Sequence, residues 1–274
     1  MNPLMAAKYA LRTVDVLTPR SLDEALRLKA ERPEAWPIQG GTDVMVELNF
    51  DRARPPALLN LNEVAELRGW SRRDGDGAIF LGAALTYTEA MQPPLAELLP
   101  ALAEASRTVG GPQIRNRGTI GGNLATSSPA GDAMPPLLVC GAEVHLVSVR
   151  GERRVPLQEF LLGPKRCDLA EDELILGVTV ESGGAQTFMK VGPRNAMVIA
   201  VVSLALEVDG ELRAAFGSAG PVPTLVRASR DELDSFPEQV AAAARPIDDV
   251  RGTAAYRRHA LGVLARRALE RCLA

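Results

Sequence analysis

Two glycine pairs, each followed by a small polar residue, are the residues of this sequence best suited to bind a ligand. They are Gly40–Gly41, followed by Thr42, and Gly121–Gly122, followed by Asn123. A glycine pair at a strand-to-helix junction leaves successive backbone N–H groups unshielded, and such a nest can hold a phosphate without a cationic side chain. A glycine pair also marks an ordinary turn, but two such loops fit a diphosphate better than a single phosphate.

Two charged residues accompany these loops. Asp132 follows the second pair in the chain. Its carboxylate is well suited to accept hydrogen bonds from vicinal ribose hydroxyls, and the alternative is a capping aspartate at the start of a helix. Lys190 stands among apolar residues in a predicted strand. It is either a surface lysine on an edge strand or a positive charge beside an electron-rich ring that gains negative charge on reduction.

Other signatures of nucleotide binding and catalysis are missing from the sequence. It contains no G-x-x-x-x-G-K-[ST] and no G-x-G-x-x-G that opens a helix, which disfavours a P-loop nucleotidase and a Rossmann dehydrogenase. The three cysteines, Cys140, Cys167 and Cys272, lie far apart and form no C-x-x-C. We therefore expect no metal or cluster ligands in this chain.

The overall composition excludes several classes of protein. The chain has 274 residues, with 31 Lys and Arg against 34 Asp and Glu, and a net charge of -3. A charge this balanced creates no global field that would attract nucleic acid or an anionic membrane. No apolar run approaches the ~20 residues of a membrane-spanning helix. The N-terminus carries no secretory signal, so the expected compartment is the cytoplasm.

The glycine loops must be positioned by strands and helices. Ser21 and Glu24 predict a capping box at the start of a helix over 21–30. A small β/α unit then surrounds the first glycine pair. Further along, the pattern predicts strands over 78–82 and 143–149, helices over 86–91 and 101–109, and a glycine-rich loop over 110–123.

The rest of the chain continues the mixture of helices and strands. The step Ser128–Pro129 predicts the start of a helix. Residues 163–172 form a predicted linker, and strands follow over 174–181, 187–191, 199–208 and 211–217. A closing helix over 254–273 has one apolar stripe. Its arginines are predicted to lie off this stripe, on a solvated face: Arg257, Arg258, Arg266, Arg267 and Arg271. These elements indicate an α+β protein in three parts.

Taken together, the motifs resemble the FAD-binding (medium) subunit of the molybdenum hydroxylases, the family of xanthine dehydrogenase and carbon monoxide dehydrogenase. The run T-I-G-G-N at 119–123, preceded by Q-I-R-N at 113–116, is highly specific, whereas G-G-T-D at 40–43 alone would not be. The chain looks most like stand-alone bacterial xanthine dehydrogenase FAD subunits. The resemblance covers nearly the whole chain in the right order, through 38–43, 111–132, 172–175, 188–200, 215–224 and 256–258.

The resemblance implies a fold and a division into domains. The fold is an FAD-binding domain of the vanillyl-alcohol-oxidase (PCMH) type, followed by an α+β domain of the carbon monoxide dehydrogenase flavoprotein C-terminal type. FAD-binding subdomain 1 would span 1–55, and FAD-binding subdomain 2 would span 56–172. The C-terminal α+β domain would span 173–274.

The resemblance also implies which residues bind FAD. The two glycine loops would wrap the diphosphate and the ribityl chain, and Asp132 would hold the adenosine ribose. Leu169 or Ile175 would touch the flavin or adenine region, and Lys190 would lie near the pyrimidine edge of the isoalloxazine. The complete implied set is Pro37, Ile38, Gln39, Gly40, Gly41, Thr42, Asp43, Thr119, Ile120, Gly121, Gly122, Asn123, Asp132, Leu169, Ile175 and Lys190.

In such a complex this chain would carry electrons and would need no catalytic nucleophile or base. A large subunit would oxidise the substrate at a molybdenum cofactor, and a small subunit would relay electrons through two [2Fe-2S] clusters. The FAD of this chain would pass them to NAD+ or another acceptor. Two alternatives remain: a self-sufficient flavin oxidoreductase of the same fold, and a non-catalytic nucleotide-binding or assembly protein.

Overall fold

The structure is a computed structural model that describes residues 14–73, 77–181 and 183–274. The strands are β1 Asp15–Leu17, β2 Trp36–Ile38, β3 Ala57–Asn60, β4 Trp70–Arg72, β5 Ile79–Gly82, β6 Glu143–Ser148, β7 Gly151–Pro156, β8 Leu161–Gly163, β9 Arg166–Cys167, β10 Leu174–Val180, β11 Ala185–Val191, β12 Val202–Asp209, β13 Glu211–Gly217 and β14 Thr224–Ser229. The α-helices are α1 Leu22–Glu31, α2 Val44–Asn49, α3 Tyr87–Ala90, α4 Leu95–Leu98, α5 Pro100–Thr108, α6 Pro112–Arg115, α7 Ile120–Thr126, α8 Met134–Val139, α9 Leu157–Phe160, α10 Phe236–Ala243 and α11 Ala254–Leu273, with short 3-10 helices at Leu61–Glu63, Ala65–Leu67 and Arg230–Glu232. Within the described ranges, no helix combines the length and the hydropathy needed to cross a membrane.

A small three-stranded parallel sheet with the order β1-β3-β2 forms the N-terminal part. Helix α1 begins at Ser21, whose Oγ accepts the N–H of Glu24 at 3.2 Å. The Glu24 carboxylate accepts the N–H of Arg20 at 2.8 Å, so only half of the predicted capping box is formed. Ala25 of α1 is fully buried in the same core as Leu59 of β3. In this unit, strand β2 ends at Ile38, with one residue between it and the first glycine pair.

A five-stranded antiparallel sheet with the order β4-β5-β10-β6-β7 forms the middle part. Its central strand, β10, pairs with β5 on one side and with β6 on the other. The sheet therefore extends past the predicted domain boundary at residue 172, because β10 follows that boundary. The domain ranges themselves stay a prediction.

The glycine-rich segment 110–123, predicted as a loop, contains helix α6 and the first turn of α7. The predicted helix start at Pro129 is wrong. Ser127 ends α7 in a left-handed conformation with φ of 44°, and the next helix begins only at Met134. Residues 163–172, predicted as a linker, include part of the short antiparallel pair β8–β9.

A four-stranded antiparallel sheet with the order β11-β12-β13-β14 forms the C-terminal part. Both of its faces are buried. Ala205 and Ala215 face the core of the first two sheets, whereas Leu204 and Phe216 face a second core that α10 and α11 complete. Strand β12 still alternates in polarity, because Val202, Leu204, Leu206 and Val208 belong to the second core, whereas Ser203, Ala205 and Glu207 are buried on its other face.

One arginine of α11 departs from the predicted solvated face. The Arg257 side chain is buried and donates to the backbone carbonyls of Val201 at 2.7 Å and Ser218 at 2.5 Å. It also pairs with Asp249 at 2.5 Å. The loops at this end of the sheet leave carbonyl groups without a strand partner, and the guanidinium satisfies them.

Helix α5 covers the outer edge of β11 through two residues one helical turn apart. The Glu104 carboxylate accepts the N–H of Phe188 at 2.6 Å and the hydroxyl of Thr187 at 2.9 Å. The carbonyl of Thr108 accepts a hydrogen bond from Lys190 Nζ at 3.3 Å. An edge that would otherwise present unpaired backbone groups is thus closed, and Lys190 is fixed in place.

Candidate functional site

The first glycine loop is a true nest of free backbone donors. It connects β2 to α2, and Gly41 adopts a φ of 75°, which favours glycine. The N–H groups of residues 40–43 have no hydrogen-bond acceptor in the described part of the chain. Unpaired backbone donors that line a cleft are suited to an anionic ligand. This loop therefore agrees with the chemistry expected from its sequence.

The second glycine run differs, because its N–H groups are already used. Ile120 donates to the carbonyl of Leu85 at 3.0 Å, and Gly121 donates to that of Ala83 at 2.8 Å. Gly122 donates to Thr119 Oγ1, the cap of α7, at 3.0 Å. The expectation of a second nest of backbone amides is therefore wrong. Gly121 instead allows α7 to pack closely against Ala83, the residue after β5.

The second glycine run can bind a ligand through the side chains of Thr119 and Asn123. Thr119 accepts the capping hydrogen bond and can still donate its own hydroxyl hydrogen. Asn123 has a buried Oδ1 without a partner among the described residues. Both residues line a cleft of about 330 Å³ together with Gly40, Gly41 and Thr42. The two predicted loops therefore meet, one with amides and the other with side chains.

Tyr87, which the sequence did not single out, closes one wall of this cleft. Its side chain is buried, and burial raises the pKa of its phenol far above the ordinary value, with Asp132 and Asp43 adding in the same direction. The hydroxyl therefore stays protonated and can donate a hydrogen bond. A tyrosine in a short, Thr86-capped helix gives no sequence signal that would separate it from a core residue.

An apolar cavity continues the cleft on one side. Leu169 and Ile175 both line it, with Leu61 and Leu67 opposite, and its volume is about 90 Å³. Pro37, Gln39, Thr119 and Gly122 border both the cavity and the cleft. A flat apolar ring attached to a phosphate chain suits such a pair of neighbouring sites.

Asp132 and Lys190 form a buried ion pair, with 2.6 Å between Oδ2 and Nζ. The exposed fractions of their side chains are 9% and 6%. Burial raises the pKa of Asp132, and the Lys190 ammonium acts in the opposite direction. Asp132 Oδ1 is buried and has no partner among the described residues, so it can accept one further hydrogen bond.

Lys190 also borders a third cavity, of about 680 Å³, that shares no residue with the apolar one. Arg107, Arg115 and Arg194 lie around it. The contact between Asp132 and Lys190 bears on the two roles that the resemblance implied for them. The adenosine ribose and the isoalloxazine lie at opposite ends of an extended FAD, whereas Asp132 and Lys190 are in contact. A ligand that reached both residues would therefore present neighbouring groups to them.

The fold and the three neighbouring sites define a protein that binds an elongated dinucleotide carrying a ring at each end. Free amides, orphaned oxygens on Asn123 and Asp132 and an apolar cavity all fit FAD. Residues 11–180, more than half of the chain, match the family model described as the FAD binding domain in molybdopterin dehydrogenase.

Two curated relatives agree with this match. The chain is 30% identical to the putative xanthine dehydrogenase FAD-binding subunit of Escherichia coli K12, over 93% of this chain and 94% of that protein. It is 34% identical to the nicotinate dehydrogenase FAD-subunit of Eubacterium barkeri, over 73% of this chain and 70% of that protein.

Solved structures show the same fold. A chain of carbon monoxide dehydrogenase from Hydrogenophaga pseudoflava superposes with a TM-score of 0.85 at 26% identity, over 95% of this chain and 97% of that one. A chain of quinoline 2-oxidoreductase from Pseudomonas putida 86 gives a TM-score of 0.87 at 24% identity, over 95% and 96% of the two chains. The protein belongs to the family of FAD-binding subunits of the molybdenum hydroxylases. It is an oxidoreductase subunit, and FAD is its cofactor.

Proposed function

We propose that this chain is the FAD-carrying electron-transfer subunit of a heteromeric molybdenum hydroxylase similar to xanthine dehydrogenase. It receives electrons from [2Fe-2S] clusters of a partner subunit and passes them to NAD+ or another acceptor. FAD supplies the ability to accept and release electrons when bound. The observation that carries the proposal is the succession of an apolar cavity, a cleft with free amides and a buried ion pair, which parallels adenine, diphosphate and flavin ring.

Each part of the site has a proposed task. The free N–H groups of 40–43 hold the diphosphate, helped by the Thr119 hydroxyl and the Asn123 side chain. The apolar cavity around Leu169 and Ile175 takes the adenine. Pro37, Gln39 and Gly122 form the border between these two sites. The remaining members of the predicted set, Ile38, Ile120 and Gly121, support the loops by packing.

The ion pair has its task at the flavin end. The free Oδ1 of Asp132 accepts a hydrogen bond from a hydroxyl of the ribityl chain. In this proposal the ribityl chain, and not the adenosine ribose, is the partner of Asp132. Lys190 lies near the pyrimidine edge of the ring, where its positive charge favours the charge gained on reduction. Because the two residues are in contact, the carboxylate offsets part of the field of the ammonium.

The partners are proposed from the family. A small subunit holds the iron–sulfur clusters, and a large subunit holds the molybdenum cofactor. The cavity beside Lys190 supports NAD+ as the acceptor, because its lining among the described residues includes three arginines and no carboxylate. A cationic cavity attracts the diphosphate of a dinucleotide.

The test is to purify the chain from its host with the proteins that copurify and to measure FAD, iron and the reduction of NAD+. We expect FAD at close to one per copy of this chain, with iron–sulfur absorbance alongside. An isolated chain that turns over NADH or an oxidisable substrate would favour the self-sufficient oxidoreductase. A colourless chain that does not take up added FAD would contradict the proposal.

A further inference from the structure

The backbone carbonyl of Gln39, directly before the amide nest, is held by two side chains from outside the loop. Arg117 Nη2 donates to it at 3.0 Å, and Asn62 Nδ2 donates to it at 3.0 Å. The two side chains are themselves joined, because Arg117 Nη2 also lies 2.9 Å from Asn62 Oδ1. Neither residue belongs to the set implied by the resemblance.

Asn62 is fixed by its own neighbours. Its Nδ2 donates to Asn60 Oδ1 at 2.6 Å, and its backbone N–H donates to the same oxygen at 3.2 Å. Arg117 has no carboxylate within ion-pair distance in the described part of the chain. Its positive charge therefore stays uncompensated beside the cleft.

The position of this carbonyl decides where the next amide points. A trans peptide unit is planar, and its C=O and N–H groups point in opposite directions. The carbonyl of Gln39 faces Arg117 and Asn62, so the N–H of Gly40 faces away from them. Gly40 also packs on the carbonyl of Arg117, with which a Cβ at position 40 would overlap. Arg117 thus restrains the orientation of the Gly40 N–H in two ways. Its side chain binds the carbonyl of Gln39, and its backbone carbonyl packs against Gly40.

We propose that Arg117 and Asn62 are positioning residues that hold the Gly40 amide toward the diphosphate of the dinucleotide. The inference rests on the proposed binding of FAD at the nest and adds the residues that orient it. Without their hydrogen bonds the peptide unit between Gln39 and Gly40 can rotate, and the first donor of the nest is lost. The uncompensated charge of Arg117 adds a favourable field for the two phosphates.

The test compares ligands that share different parts of FAD. The apo chain and the variants Arg117→Ala, Asn62→Ala and Arg117→Lys are titrated calorimetrically with FAD, ADP and riboflavin. We expect Arg117→Ala and Asn62→Ala to weaken FAD and ADP by about tenfold or more each, which corresponds to about 1.4 kcal/mol. Riboflavin, which has no phosphate, should bind as in the wild type.

Two comparisons separate positioning from other effects. Arg117→Lys keeps one donor and the charge, so it should recover most of the affinity for FAD. Arg27→Ala removes another exposed arginine, which pairs only with Glu31 among the described residues, and should change nothing. The flavin midpoint potential of the FAD that Arg117→Ala still binds should be unchanged, because the ring site lies elsewhere.

Three results would overturn the inference in distinguishable ways. If FAD and ADP bind Arg117→Ala and Asn62→Ala as tightly as the wild type, the positioning role is wrong while FAD binding stands. An equal loss for FAD and riboflavin would mean that the two residues stabilise the chain as a whole. If the wild type binds neither FAD nor ADP, the proposed function fails, and the positioning role fails with it.

Discussion

Gly121 and Gly122 are neighbours in α7, but their missing side chains face different surroundings. A Cβ at 121 would lie 2.7 Å from Ala83 Cβ and 2.8 Å from the Ala83 carbonyl oxygen. A Cβ at 122 would meet only Thr119 Oγ1, at 3.1 Å, within the described chain and would face the cleft. The same substitution should therefore affect stability at one position and cofactor binding at the other.

Gly122→Val should weaken FAD binding without unfolding the chain. Valine is slightly better than glycine inside a helix, so the free energy of unfolding should change by no more than about 0.5 kcal/mol. Its methyl groups would occupy part of the cleft of about 330 Å³ that we propose for the diphosphate. Losing one hydrogen bond to a charged group costs about 1.5–3 kcal/mol, so we expect Kd to rise by roughly 10- to 150-fold.

Gly121→Val should act in the opposite way. Overpacking against Ala83 costs about 1–3 kcal/mol of folding free energy. In a chain of this size, each kcal/mol lowers Tm by roughly 2–4 °C. The assay is a thermal melt of the apo chain together with a fluorescence titration of FAD, for the wild type and both variants in the same buffer.

The outcome that contradicts this reasoning is specific. If Gly122→Val binds FAD with wild-type affinity, the second glycine run does not border the diphosphate. If Gly121→Val melts at the wild-type temperature, its contact with Ala83 is not a packing constraint. If both variants lower Tm by the same amount, both glycines are needed for packing.

Three further predictions concern charged residues. Asp132→Asn should raise the midpoint potential of bound FAD in spectroelectrochemistry, because the field of Lys190 is then no longer offset. Lys190→Met removes the group that holds down the pKa of Asp132, which burial raises. The potential should therefore fall mainly at pH values where Asp132 is ionised, and a pH-independent shift would contradict this. Arg257→Met should cost about 1–3 kcal/mol in chemical denaturation, because it leaves buried carbonyls unpaired, and an unchanged midpoint would contradict it.

The sequence predicted those features that depend on local signals. The closing helix agrees with α11 at both ends, since its apolar stripe repeats with helical periodicity. The predicted strand over 211–217 agrees with β13. Both glycine loops were found, because glycine pairs followed by polar residues are rare enough to stand out. Their meeting at one cleft was implied by the resemblance rather than by spacing.

Features that depend on distant partners could not be predicted in this way. Whether the amides of Ile120 and Gly121 are free depends on the carbonyls of Leu85 and Ala83, which come from another part of the chain. Arg257 has the same local pattern as the exposed arginines of its helix, and only the carbonyls of Val201 and Ser218 bury it. The contact between Asp132 and Lys190 joins the loop before α8 to strand β11 and has no local signal.

The closed edge of β11 lies between the two cores of the molecule, and Lys190, the proposed partner of the flavin ring, belongs to this strand. Phe188 belongs to the core of the first two sheets, whereas Met189, the next residue, packs on the second core. Strand β11, which carries Lys190, therefore contributes to both hydrophobic cores. A ligand that needs both cores in place favours the joined state, so FAD and the α5–β11 contact should strengthen each other. We therefore expect bound FAD to be released faster when this contact is weakened.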